Sequence, residues 1–242
     1  MSDNPVRDIH DAVARNADPV VASTRPATTA ALEMRRMVAD VIAKLRPGGA
    51  SVIELGCGTG VLGMPIARRA SRYVGVDISP RAVEVLRERL PGSTIRCADV
   101  THDDLSDLGT FDRLLVYAAL HYVVSEADGE RFVRGALAML APGGRALFGN
   151  LPMPAGDLPH STWQRAVRRA WTGGRRVLRG LHRQPMRPNP LSMPAGYCLP
   201  LSRALIESWL HGVPGVRWQW LAPGLGVPLA RTRADLLVFR KG

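Results

Sequence analysis

The residues best placed to do chemistry are Glu54-Leu55-Gly56-Cys57-Gly58-Thr59-Gly60, which leave a short β-branched apolar segment and lead into a helical stretch. Alternating glycines let the backbone turn tightly and let a ligand approach the main chain. A helix beginning beyond such a turn presents free N–H groups. Asp77 closes the next apolar segment, where a carboxylate can accept two hydrogen bonds from ribose hydroxyls. Asp99 closes the segment after that and can contact an adenine amino group at the same carboxyl edge, where open α/β sheets bind ligands.

Further along, Tyr117-Ala118-Ala119-Leu120-His121-Tyr122 follows a fourth apolar segment. The ordinary histidine pKa of ~6.5 suits His121 to proton transfer; the competing reading is a side chain that lines or shapes the pocket. Asn150 ends the fifth strand at the same edge, as a substrate or cofactor contact or as ordinary turn chemistry. Tyr122 and Tyr197 are further candidate substrate contacts. Cys57, inside the glycine turn, reads as a small packing residue. Cys198 lies in a Pro-rich stretch where an adduct is conceivable and disfavoured. No His/Cys grouping has metal-ligand spacing, so no metal site is expected.

These groups need a scaffold, and the hydrophobic pattern supplies one. Residues 28–45 carry apolar side chains at helical spacing, closed by Pro47-Gly48-Gly49. Strands are expected at 51–55, 72–77, 93–99, 111–120 and 145–150. Helices are expected near 61–70, from the Ser79-Pro80 cap to about Leu90, and at 128–140. This alternation predicts a doubly wound, mostly parallel sheet covered on both faces. After a helix near 202–211, segments 216–221 and 234–239 read as two closing strands, a hairpin at one sheet edge. Residues 1–27 lack clear periodicity and read as an N-terminal arm or loose tail, leaving 28–242 as one domain.

The bulk properties fit one α/β domain. Apolar residues make up 46% of 242, enough for a buried core. No apolar run is long enough to span a membrane, and the charged N-terminal residues lack the apolar stretch of a secretory signal. With three widely spaced cysteines, the chain reads as cytoplasmic and reduced. The net charge of +11 is almost all arginine, since Lys44 and Lys241 are the only lysines. It invites an anionic partner, although an arginine bias can also reflect genomic base composition. The charge clusters at 151–200, a Pro-rich stretch read as a basic insertion, a lid or substrate-recognition region. Within it, Trp163, Val167 and Trp171 recur at a spacing of four beside arginines that run from Arg165 to Arg187. An anionic membrane surface, the phosphates of a nucleotide sugar or RNA, and simple packing on the sheet all suit this segment.

Gly58-Thr59-Gly60-Val61-Leu62-Gly63 also fits the dinucleotide pattern GxGxxG. Three features favour another ligand: the glycines begin at Gly56 with Glu54 before them, a third acidic strand end follows at Asp99, and no tyrosine stands four residues before either lysine. Taken together, VIELGCGTG (52–60), VGVDIS (74–79), CADV (97–100), FDRLLVYAALHYV (111–123) and LAPGGRALFGN (140–150) resemble the class I S-adenosylmethionine-dependent methyltransferases. The resemblance implies a Rossmann-like seven-stranded sheet with an antiparallel last strand. It implies S-adenosyl-L-methionine as cofactor, with Glu54 near its methionine end and Gly56, Gly58 and Gly60, with Cys57 among them, along its path. By the same resemblance Asp77 binds the ribose, Ile78 lies against the adenine, Asp99 and Val100 hold the adenine edge, and Tyr117 opens the active-site loop, making it a second candidate for catalysis beside His121.

The expected activity is methyl transfer to oxygen or nitrogen of a small-molecule acceptor such as a glycan or secondary metabolite. The rivals are an RNA methyltransferase using the arginine-rich insertion, a non-catalytic adenosylmethionine-binding protein and, more distantly, a nicotinamide-dependent oxidoreductase. Tyr-Ala-Ala-Leu after the fourth strand, in place of Asn/Asp-Pro-Pro-Tyr/Phe, argues against methylation of base amino groups.

Overall fold

A computed structural model describes residues 5–15, 31–159, 198–224, 227 and 232–242. The arginine-rich segment Arg165–Arg187 and the candidate Tyr197 lie outside the described residues.

A seven-stranded sheet in the order β3-β2-β1-β4-β5-β7-β6 forms the frame. Its strands are β1 (Ser51–Leu55), β2 (Arg72–Asp77), β3 (Thr94–Cys97), β4 (Phe111–Tyr117), β5 (Leu140–Pro152), β6 (Val216–Leu221) and β7 (Arg233–Arg240). The first five pair in parallel, and β7 runs antiparallel to both β5 and β6. The closing hairpin thus sits at the sheet edge, with the last strand inside and β6 outermost. The described helices are α1 (Pro5–Ala14), α2 (Ala31–Leu45), α3 (Gly63–Ala67), α4 (Pro80–Arg89), α5 (Glu126–Ala138) and α6 (Arg203–His211). None of them is long and apolar enough to cross a membrane.

Strand side chains alternate between the two faces of the sheet, and the core divides accordingly. Ile53, Leu114, Phe148 and Leu236 pack with Phe132, Leu137 and Trp209 of α5 and α6. Their immediate neighbours Val52, Leu115, Leu147 and Leu237 pack on the opposite face with Met37, Val41 and Leu86 of α2 and α4. Burial on both faces explains why the central strands read as continuous apolar runs.

Helix starts follow capping chemistry. Ser79 Oγ accepts from the Ala82 N–H, with Pro80 in the first turn. Ser125 Oγ accepts from the Asp128 N–H and donates to the Asp128 carboxylate, so α5 starts two residues before the expected 128. That cap was visible in Ser125-Glu126-Ala127-Asp128 and was overlooked.

Other boundaries also move. Residues 5–14 of the expected arm form helix α1, which packs on α4. The helix expected at 61–70 shrinks to Gly63–Ala67, since Leu62 at its start offers no capping side chain. The third strand stops at Cys97, which leaves Asp99 in the following loop. The fourth stops at Tyr117, where Ala118 turns into a positive φ of 58°. Strand β5 begins at Leu140 and absorbs Pro142-Gly143-Gly144 in an irregularity of its pairing with β4.

Candidate adenosyl-binding cleft

The chain passes from β1 outward to β2 and β3, then returns to lay β4 on the other side of β1. Loops leaving β1 and β4 therefore diverge, opening a crevice at the carboxyl ends of the strands. A cavity of about 330 Å³ fills that crevice.

The turn after β1 hangs from β2, because the N–H groups of Gly56 and Cys57 both donate to the Val76 carbonyl, at 2.8 and 3.1 Å. A Cβ on Gly56 would lie 2.6 Å from the Ala119 Cβ, so only glycine lets the β1 and β4 loops meet. Gly58, at φ +52°, lines the cavity, and a Cβ there would meet no protein atom within 4 Å. Gly60 differs: it is not on the cavity wall, and its Cβ would fall 2.4 Å from Leu86 Cδ1. It lets the turn rest on α4. Cys57 lines the cavity yet is almost fully buried, with its sulfur behind Gly75. Burial, with Asp77 and Glu54 nearby, pushes its thiol well above the ordinary cysteine range.

The carboxylates are held by their surroundings. Asp77 accepts from the Gly58 N–H at 2.7 Å through Oδ2 and from the Ser79 N–H at 2.9 Å through Oδ1. Each carboxylate oxygen has a second lone pair for a ligand. Glu54 accepts from the Tyr73 hydroxyl at 2.6 Å. Burial and the Glu54 charge raise the Tyr73 phenol well above its ordinary pKa, so it stays a donor. Asp99 accepts from the Thr101 N–H at 2.9 Å, a turn that its own side chain stabilises. Ile78 and Val100 lie on the wall beside these acids.

The β4 side is less as expected. Tyr117 and Tyr122 line the cavity, but His121 does not. The Leu120–Tyr122 3₁₀ turn sends adjacent side chains in different directions, and His121 enters the interior at 8% exposure. Burial, with Arg233 and His10 nearby, lowers its pKa to about 3. A weakly basic imidazole off the wall is poorly suited to the expected proton transfer. Asn150, also off the wall, takes the left-handed conformation at φ 57°, and its N–H donates to Asp235 Oδ1 at 2.8 Å. Its position is that of turn chemistry.

Sequence reasoning missed α1 and Thr59. Val6, His10 and Ala14 share one helical face and line the cavity. The signal was their spacing of four, hidden in a short segment rich in charge. Asp11 fastens α1 by accepting from Ser79 Oγ at 3.0 Å and the Arg81 N–H at 2.9 Å. His10 stands edge-on to Tyr122 at 4.7 Å between ring centres, and burial lowers its pKa despite the nearby Asp77 charge. Thr59, 1% exposed on the same wall, leaves its Oγ1 without a hydrogen-bond partner among the described residues.

Charge sets the wall apart from the rest of the protein. Glu54, Asp77, Asp99 and Asp128 line the cavity, and no lysine or arginine does among the described residues. In a chain of net charge +11, that is a local inversion. It suits a ligand carrying positive charge and a diol, and it opposes a pyrophosphate.

Fold and site together define a doubly wound α/β protein with an acid-lined cavity at the carboxyl ends of its strands. Residues 52–144 match the family model described as a methyltransferase domain. The ubiquinone biosynthesis O-methyltransferase of Xanthomonas axonopodis pv. citri is 30% identical over 116 residues, 46% of this chain and 47% of that protein. The chain thus spans about half the length of that curated relative. Among solved structures, the N-methyltransferase NodS from Bradyrhizobium japonicum superposes with a TM-score of 0.63 at 18% identity, covering 98% of this chain and 99% of that one. Magnesium protoporphyrin IX methyltransferase from Synechocystis gives 0.60 at 14% identity, covering 98% and 95%. These two share the fold. Over residues 52–144 the chain is thus similar to methyltransferase domains.

Proposed function

We propose that this protein binds S-adenosyl-L-methionine in the acid-lined cavity and transfers its methyl group to oxygen or nitrogen of a small-molecule acceptor. One observation carries the reading: the described wall holds four carboxylates and no lysine or arginine in an arginine-rich protein. The named activities of the similar proteins, O-methylation in one and N-methylation in another, support the choice of acceptor atoms.

When bound, the cofactor supplies a methyl group activated by a positive sulfur. The chain's part is to bind, orient and exclude water. Asp77, held open by Gly58 and Ser79, accepts the hydroxyls of the ribose. Gly58 leaves room for the ligand against the turn, and Ile78, Asp99 and Val100 form the wall for the base. Glu54 places negative charge toward the aminoacyl end. Helix α1 covers the cavity with Val6 and His10, and so restricts water.

The test is calorimetric titration with S-adenosylhomocysteine and NAD in parallel. Binding of the first and no binding of the second is expected. Binding of NAD alone would replace this reading with an oxidoreductase. Binding of S-adenosylhomocysteine without turnover on any acceptor would reduce the protein to a cofactor-binding module.

A further inference from the structure

Near Tyr117 and Tyr122 of the cavity wall lies a half-buried cation that the cofactor reading does not use. Arg233 opens β7 opposite Pro152 of β5. It is half-buried, and its one hydrogen bond among the described residues is a long one, from Nη1 to the Thr232 carbonyl at 3.4 Å. Nε is buried and has no hydrogen-bond partner among the described residues. No carboxylate forms an ion pair with Arg233 among the described residues, although seven lysine or arginine pairs occur there. Two residues further along the same strand, Asp235 is by contrast paired: it accepts from Lys44 Nζ at 2.6 Å and from the Asn150 N–H.

The neighbours of Arg233 point the same way. Tyr117, Tyr122 and Cys198 lie close enough to act on its charge, and so does His121. The Leu199 N–H donates to the His121 carbonyl at 3.0 Å, which brings the chain around Cys198 to this spot. His121 Nδ1 is a second buried polar atom without a hydrogen-bond partner among the described residues. Burial lowers the Arg233 pKa, and a guanidinium keeps its charge in proteins. A desolvated cation and an orphaned imidazole nitrogen together form an unsatisfied site. The free edge of the guanidinium, Nε with Nη2, is the edge that grips a carboxylate with two parallel hydrogen bonds.

The geometry points to an anion subsite at Arg233, beside Tyr117 and Tyr122, that takes a carboxylate of the methyl acceptor. This names an acidic small molecule as the acceptor class, and it rests on the methyltransferase reading for the word acceptor. The subsite itself is defined by Arg233 and can be tested independently.

The measurement is ¹⁵N–¹H NMR of arginine Nε–H groups in the full chain, with and without S-adenosylhomocysteine, titrated with propionate and with neutral propionamide. Arg233→Lys identifies the Arg233 signal by its loss. Propionate should move that signal to saturation at concentrations on the order of tenfold below those that move exposed arginines, because a desolvated fork binds carboxylate more strongly. Propionamide should leave it in place. An Arg233 signal blind to propionate, or one that responds equally to propionamide, overturns the proposal. Arg233→Gln should abolish propionate protection in thermal unfolding while affinity for S-adenosylhomocysteine stays within about twofold. If that variant does not fold, the two wild-type titrations decide. Failure of S-adenosylhomocysteine to bind would count against the methyltransferase reading and would leave the propionate titration interpretable.

Discussion

The wall built by the tips of β1, β2 and β3 and the region around the tips of β4 and β7 share one sheet edge, yet they handle charge in opposite ways. On the first, Asp77 and Asp99 are held by N–H groups a few residues along or by a neighbouring turn, and Glu54 by the Tyr73 hydroxyl. On the second, Arg233 Nε and His121 Nδ1 are buried and without hydrogen-bond partners among the described residues. Leaving a buried donor or acceptor unsatisfied costs about 1–3 kcal/mol. A chain that pairs Lys44 with both Asp40 and Asp235 has the means to avoid that cost. The contrast suits a preorganised pocket for a constant cofactor beside a surface completed by its acceptor.

The strongest way to probe the second region is through pH. The His121 pKa of about 3 lies below the ordinary 6.5 because burial disfavours the charged ring. Above pH 6.5 both folded and unfolded chains hold it neutral, so its full contribution to stability is present. As pH falls toward 3 the unfolded chain takes up a proton that the folded chain refuses, and stability declines by up to ~1.4 kcal/mol per pH unit. Urea unfolding across that window should show a shallower decline in His121→Leu. Equal slopes would mean that the ring is solvated in the folded protein.

For the first region, Asp77→Ala should weaken S-adenosylhomocysteine binding by ~1–3 kcal/mol, through lost hydrogen bonds to a charged group. Calorimetry reads this directly, and an unchanged affinity would remove the ribose assignment. The smallest expected effect separates turn glycines that look alike. Gly60→Ala, at φ +91° and against Leu86, should cost about 1–2 kcal/mol of stability while the folded fraction keeps its cofactor affinity. A large affinity loss there would place Gly60 on the ligand's path after all.

Much of this was legible in the sequence because it is local. The apolar runs of β1 and β2, the Ser79-Pro80 cap and the carboxylate at the end of β2 all depend on neighbours a few residues away. The glycine turn was legible too, but the different tasks of its glycines were not. Gly56 faces Ala119, Gly58 faces the cavity and Gly60 faces Leu86, and each surface comes from a different element. The α1 contribution was hidden for the same reason. Its cavity-facing stripe acquires meaning only when Asp11 meets Ser79 and Arg81, residues far along the chain.

By itself, the amino-acid order determined the alternation of strands and helices, the turn after β1 and the carboxylates at Asp77 and Asp99, since backbone conformation and hydrophobic period are short-range properties. Tertiary structure alone decided that β7 slips between β5 and β6, that Tyr122 faces the cavity while His121 turns inward, and that Arg233 comes to lie beside them. Those outcomes depend on which distant surfaces pack together and on where burial removes water from a charge, and neither is written into the spacing of neighbouring residues.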